Sequence, residues 1–284
     1  MTPSIATDNL ITGDKVNFIK KLGNATRKNN SLLCVGLDPD PNLMPKKVTI
    51  FDFNQAIIEA TADLVCAYKL NLAFYEAQDN EGLDALKRTI KYIPNDIPVI
   101  GDAKRGDIGN TAKAYAKAIF TNLNFDATTV NPYLGFDSIE PFIQYKDKGV
   151  FILCRTSNTG ARDFQSLRCE AEPEYRPLFE LVALKASQWN TYGNIGLVVG
   201  ATYPEELRLI RHSHPDMPLL IPGIGAQRGD LASAVRYGVD ARGEKAIISS
   251  SRQIIYAASG KDFAEAARRV ASSLRDQINQ YRAF

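Results

Sequence analysis

The sequence predicts a single (β/α)8 barrel over residues 1–284, and three observations predict it. Eight short apolar segments alternate with segments of helical periodicity. No Pro/Gly/Ser-rich linker and no low-complexity stretch divides the chain. Polar candidates collect just after strands one, two, three, five, seven and eight, as they would around the mouth of a closed barrel. A length of 284 residues suits either two ordinary domains or one barrel of about 250 residues. A doubly wound open sheet is the main rival, and it would scatter those candidates along one edge.

Residues 13–29 carry Val16, Phe18, Ile19 and Leu22 on one stripe among lysines, which predicts a helix closed by Asn29-Asn30. Ser31 to Leu37 is too short and apolar for a surface helix and predicts strand one, stopped at Asp38-Pro39 because proline cannot continue the ladder. A helix over 53–64 leads into strand two, Leu64 to Leu70, with Lys69 at its end. A helix over 83–92 and Pro94 precede strand three, Ile97 to Ile100. An alanine-rich helix over 110–123 and a β-branched strand over 126–131 follow, the latter ending at Pro132. Helix 137–146 and the strand over 149–154 come next. Residues 155–172, rich in Ser, Thr, Asn, Gly and Arg, are expected to be irregular, and loops of that length often carry function. Helix 174–190, strand 195–200, helix 204–212, strand 217–221, helix 230–237, strand 245–250 and a last helix from Asp262 to about Tyr281 complete the alternation.

Composition narrows the function classes. Hydrophobic residues at 45% and charged residues at 23% describe a globular protein, and a net charge of +2 gives no broad electrostatic reason to bind nucleic acid. Any bound anion is expected to be small. Cys34, Cys66, Cys154 and Cys169 lack metal-ligand spacing and read as small core hydrophobes. His212 and His214, the only histidines, share one Arg-His-Ser-His-Pro run, which argues against a zinc centre or a His-based triad. Residues 1–14 lack a basic region followed by an apolar stretch, and no 18-residue apolar segment occurs, so a cytoplasmic, reduced protein without a membrane partner is expected.

The chemistry concentrates in Gly101 to Thr111, where Asp102, Lys104 and Asp107 follow the apolar run of strand three. Alternate strand residues share a face, so Asp102 and Lys104 are expected to point the same way, and Gly106 allows a turn that brings Asp107 near. The same charges also read as a solvated strand end. A lysine flanked by carboxylates is held as the ammonium, which suits proton donation and not Schiff-base attack. Asp38 and Lys69, at the ends of strands one and two, converge on this set. A second candidate site pairs the glycine-rich Ile221 to Asp230 segment with Ser249 to Gln253, the arrangement in which barrels cradle phosphate on backbone N–H groups and a guanidinium.

With these residues in view, Asp-Ala-Lys-Arg-Gly-Asp at 102–107 resembles the Asp-x-Lys-x-x-Asp motif of the orotidine 5′-phosphate decarboxylase family. Leu-Cys-Val-Gly-Leu-Asp-Pro at 33–39, Tyr-Lys-Leu-Asn at 68–71, Thr-Ser-Asn at 156–158, Pro-Gly-Ile-Gly-Ala-Gln at 222–227 and Ser-Ser-Arg at 250–252 extend the likeness in order. Val-Asn-Pro-Tyr-Leu-Gly-Phe-Asp at 130–137 resembles the longer bacterial subgroup. The resemblance implies cofactor-independent conversion of orotidine 5′-monophosphate to uridine 5′-monophosphate and CO2, with no metal. It implies that Asp38 and Lys69 bind ribose hydroxyls, and that Lys69, Asp102, Lys104 and Asp107 carry the chemistry. Ser157 would contact the pyrimidine, Gln227 would bridge pyrimidine and phosphate, and Arg252 with Pro222, Ser251 and neighbouring backbone would hold the phosphate. Asp107, Ile108 and Thr111 would reach across a homodimer interface.

Two rivals follow from the same residues. Magnesium-dependent sugar-phosphate barrels share Asp-x-Lys-x-x-Asp but usually carry a glutamate metal ligand where this chain has Lys69. A noncatalytic nucleotide-binding barrel is the other.

Overall fold

The computed structural model describes residues 17–171, 174–225 and 229–282. Eight parallel strands close into a barrel: β1 (Leu33–Gly36), β2 (Ala67–Asn71), β3 (Val99–Arg105), β4 (Ala127–Val130), β5 (Gly149–Arg155), β8 (Ile195–Val199), β9 (Leu219–Ile221) and β10 (Ala246–Ser250). Each pairs with its neighbour in chain order, and β10 returns to β1, with Leu33 opposite Ile248. The remaining two strands, β6 (Arg168–Ala171) and β7 (Glu174–Pro177), form a separate antiparallel hairpin.

The strands are short and apolar because both of their faces are covered. One face builds the barrel interior from Cys34, Cys66, Ile100, Phe151, Val198 and Ile247. The other packs against an outer ring of helices: α2 (Ile50–Thr61), α4 (Asp79–Tyr92), α5 (Gly109–Lys117), α7 (Leu178–Trp189), α8 (Pro204–Ser213), α9 (Leu231–Gly238) and α11 (Phe263–Arg282). Short helices α3 (Leu72–Glu76), α6 (Glu140–Ile143) and α10 (Arg252–Ile255) lie between them. Among the described residues, no helix is long and apolar enough to cross a membrane.

Helix α1 (Phe18–Lys28) places Phe18 and Leu22 in the interior cluster, at the end of the barrel opposite the strand C-termini. Asn17 caps it by accepting from Lys20 N, and Phe18 meets Phe151 edge-on at 5.7 Å. The first residues of the expected helix, 13–16, lie outside the described residues. A Cβ added at Gly149 would enter the Phe18 ring. Gly149→Ala is therefore expected to overpack this end and lower stability by about 1–3 kcal/mol, read as a lower urea midpoint with an unchanged m-value.

Several boundaries differ from expectation for local reasons. Thr49 caps α2 through Asp52 N, so that helix starts at Ile50, while Leu64 falls in a 3-10 turn before β2 rather than in the strand. Asn71 accepts from Ala73 N and starts α3, an extra turn directly after β2. The helix expected over 137–146 contracts to α6, because Gly135 at φ +86° and the 3-10 turns Pro132–Leu134 and Phe136–Ser138 occupy its approach. Residues 118–122 widen into a π-turn after α5. The hairpin is the main departure: Glu174–Pro177 pairs with Arg168–Ala171, so α7 starts at Leu178 instead of 174.

Arg211 clamps the base of the last quarter of the barrel. Its guanidinium is buried and donates to five carbonyl oxygens, those of Gly238, His214, Pro215, Met217 and Lys245. Burial pulls its pKa down to about 10, against the opposing pull of Asp240 and Asp216.

Candidate active site

The C-terminal ends of β1, β2 and β3 bring four of the five expected charges together. Lys69 is buried at the end of β2, with Nζ 3.0 Å from Asp102 Oδ2 and 3.9 Å from Asp38 Oδ1. Lys104 Nζ lies 2.7 Å from Asp102 Oδ1, and its side chain is 48% exposed towards the mouth. The result is a line of alternating charge, Asp38, Lys69, Asp102 and Lys104. Thr129 of β4 donates to Asp102 Oδ1 at 2.9 Å, and Asn71 N donates to Asp38 Oδ1 at 3.2 Å.

Simple alternation along β3 predicts that Asp102 and Lys104 meet, and they do, by a less regular route. The β3–β4 register shifts between Gly101 and Arg105, and Lys104 adopts φ +47°, the left-handed region that a residue with a Cβ enters at a cost. Its N–H donates to Thr129 Oγ1 at 2.9 Å, which fixes the kink. Thr129 therefore holds both the carboxylate and the lysine backbone.

Burial alone would drive Asp102 towards its neutral form, but Lys69 and Lys104 outweigh it and hold the carboxyl well below the usual range. Burial likewise disfavours the Lys69 ammonium, and Asp38 and Asp102 outweigh it, raising Lys69 above its ordinary value. Asp102 therefore contributes stability above about pH 4, lost only on stronger acidification, and Lys69 contributes below about pH 10, lost as pH rises further.

Asp107 does not join the charge line within its own chain. Its carboxylate accepts from Ile108 N at 2.8 Å, and among the described residues it forms no ion pair, so the turn at Gly106 does not close a carboxylate, ammonium, carboxylate triplet. Asp107 and Ile108 lead into α5, which contains Thr111, and the three line neither lobe of the cleft described next.

Two lobes of one cleft meet at Lys69, Asn71 and Pro222. The lobe of 540 Å³ includes Asp102, Lys104, Thr129 and Ser157. The lobe of 480 Å³ includes Asp38, Ser251, Arg252 and Tyr256. Ser251 Oγ donates to Gly36 O at 3.1 Å, and a Cβ on Gly36 would lie 2.7 Å from Ser251 Cβ, so β1 and the turn after β10 pack too closely for any other residue. Tyr256 Oη donates to Asp38 O and accepts from Asp40 N, fixing the chain beyond β1. Arg252 is exposed and makes no ion pair with a described residue. Gly223 and Gly225 both have positive φ, 102° and 87°, as a tight backbone loop requires. Gln227 lies outside the described residues.

Thr129, Asn71 and Tyr256 are site-supporting residues that sequence reasoning passed over. Thr129 had a usable signal, a β-branched hydroxyl one strand away from Asp102; Tyr256, more than 200 positions from Asp38, had none.

Fold and site together define a class, the (β/α)8-barrel enzymes whose reactive groups lie at the C-terminal ends of the strands. A family model described as orotidine 5′-phosphate decarboxylase / HUMPS family matches residues 31–270. A Dehalococcoides mccartyi protein named orotidine 5′-phosphate decarboxylase is 57% identical over 267 residues, covering 94% of this chain and 99% of that one. A Ralstonia pickettii protein of the same name is 52% identical over 276 residues, covering 94% of this chain and all of that one, 100%. The solved structure of Leishmania donovani OMP decarboxylase superposes with a TM-score of 0.81 at 40% identity, covering 94% of this chain and 99% of that one. The chain belongs to the orotidine 5′-phosphate decarboxylase / HUMPS family.

Proposed function

We propose that the chain decarboxylates orotidine 5′-monophosphate to uridine 5′-monophosphate and CO2, a step of de novo pyrimidine synthesis, without a cofactor. The observation that carries this reading is the Asp38, Lys69, Asp102, Lys104 line, which is rooted in the buried Lys69 and ends with an exposed ammonium facing the cleft. Cleavage of the bond from C6 to the carboxylate releases CO2 and leaves the electron pair in the ring plane, out of conjugation with the ring carbonyls. Lys104 Nζ stabilises that pair and transfers a proton to C6, then regains one from water. Asp102, locked by Lys69 and Thr129, aims Lys104.

Asp38 and Lys69 bind the ribose hydroxyls, Ser157 meets the pyrimidine, and Gln227 spans pyrimidine and phosphate. Arg252, with Ser251 and the Pro222 loop, takes the phosphate. Arg252→Ala is expected to weaken phosphate-bearing nucleotides by about 10- to 100-fold and spare the unphosphorylated nucleoside, as titration of UMP against uridine will read. Equal losses for both ligands would remove the phosphate role.

The working unit is a homodimer, in which Asp107, Ile108 and Thr111 enter the neighbour's site. Supporting this, Ile108 is 52% and Tyr133 82% exposed, with Leu134 and Phe136 also exposed, an apolar surface beside the mouth. Mixing Lys104→Ala with Asp107→Ala subunits is expected to restore roughly a quarter of wild-type activity, since half of randomly mixed dimers carry one intact site. No recovery in demonstrated mixed dimers would overturn the sharing. The cytoplasm is the proposed location, where Cys34, Cys66 and Cys154 remain buried thiols.

The deciding experiment incubates the protein with orotidine 5′-monophosphate in chelator and follows the loss of substrate absorbance and the appearance of UMP. Absence of conversion overturns the proposal. A requirement for magnesium would favour sugar-phosphate chemistry, against which Lys69 stands as a cation in the metal ligand's place.

A further inference from the structure

The segment after β5 carries a polar clasp whose centre, Gln165, has no part in the chemistry above. Gln165 Oε1 accepts from Thr156 N at 2.8 Å and from Arg155 Nη1 at 3.4 Å, while Nε2 donates to Thr156 Oγ1 at 2.8 Å. Thr156 Oγ1 donates onward to Asn158 Oδ1 at 2.7 Å. Both polar atoms of the Gln165 amide thus converge on Arg155 and Thr156, directly before Ser157, and Thr156 passes the hold on to Asn158, directly after it.

The clasp is anchored at both ends. Gln165 O accepts from Phe179 N at 3.0 Å and Leu167 O from Leu178 N at 2.9 Å, so the first turn of α7 holds the chain that carries the amide. Between those anchors, Arg168–Ala171 pairs with Glu174–Pro177 as the β6–β7 hairpin. At the other end, Arg155 is buried, donates to both oxygens of Glu206 on α8 at 3.0 and 3.4 Å, and stacks on Tyr203 at 3.7 Å. Behind Ser157, a Cβ on Gly200 would lie 2.7 Å from Ser157 Cβ, so the backbone after β8 forms a wall against it.

We propose that Gln165 is a positioning residue for pyrimidine recognition: its amide fixes the Thr156-Ser157-Asn158 turn so that Ser157 faces the base. This rests on the assignment of Ser157 to the pyrimidine. The clasp touches nothing in the Arg252 lobe, so its loss acts on the base and leaves the sugar phosphate alone.

The test measures UMP and ribose 5-phosphate binding by calorimetry on Ser157→Ala, Gln165→Leu and Gln165→Glu. Gln165→Leu is expected to weaken UMP about tenfold and leave ribose 5-phosphate within about twofold. Gln165→Glu is expected to recover most of the UMP affinity, because its carboxylate still accepts from Thr156 N and Arg155. UMP binding unchanged in Gln165→Leu, or equal losses for both ligands, overturns the clasp. If Ser157→Ala leaves UMP binding unchanged, the pyrimidine assignment falls and the clasp's role with it; if Ser157→Ala weakens UMP and Gln165→Leu does not, the clasp alone falls. Should Gln165→Leu fail to fold, Thr156→Val removes the Oγ1 partner and keeps the main-chain N–H, with the same outcomes deciding.

Discussion

Lys104→Ala is expected to lower turnover of orotidine 5′-monophosphate by at least about 10⁴-fold while UMP binding stays measurable. A positioned general acid contributes about 10² to 10⁴-fold, and a fixed charge facing developing negative charge contributes further. The variant loses both at once, since the same ammonium stabilises the pair at C6 and protonates it. Binding has other sources in Asp38, Ser157 and the Arg252 lobe, so the loss falls on kcat. Single-turnover decay of substrate absorbance, with UMP titration as control, reads both quantities. Decarboxylation near the wild-type rate would sink the assignment.

Asp102→Asn is expected to lose activity and to destabilise the fold by about 3–5 kcal/mol, the usual cost of breaking a buried ion pair from one side. Lys69 is buried and would keep only Asp38, at 3.9 Å, as a charged partner. Thr129 would lose the anionic acceptor for its hydroxyl, and Lys104 would lose the group that aims it. Urea unfolding at pH 7 tests the stability term. The wild-type contribution is expected to stay level between about pH 4 and pH 10, because Asp102 is held below its ordinary range and Lys69 above its own. A variant as stable as wild type would show that the network contributes nothing net.

The barrel was legible because parallel strands buried on both faces must be short and apolar, as Leu33–Gly36 and Ile195–Val199 are. The hairpin was not. Arg168–Ala171 and Glu174–Pro177 are largely exposed and held by pairing with each other, so they leave no apolar period to detect. The convergence of Asp38, Lys69, Asp102 and Lys104 could be read from their places at strand ends. What supports them could not: Thr129 acts across a register shift, and Gln165 reaches back to Thr156 through side-chain bonds with no sequence period. The turn at Gly106 leaves Asp107 off its own chain's charge line for a third reason. A glycine permits a turn without fixing its direction, and Asp107 instead bonds to the N–H that follows it.

The left-handed backbone of Lys104 separates fitness from robustness at one position. Glycine there would relieve about 1–2 kcal/mol of strain, a gain that the lost Lys104–Asp102 ion pair and the looser unfolded chain offset, so stability alone gives lysine no advantage at this position. The same change would delete the ammonium. Directed evolution of this chain for heat resistance therefore has to hold position 104 under an activity screen, because stability exerts no pressure to keep the lysine.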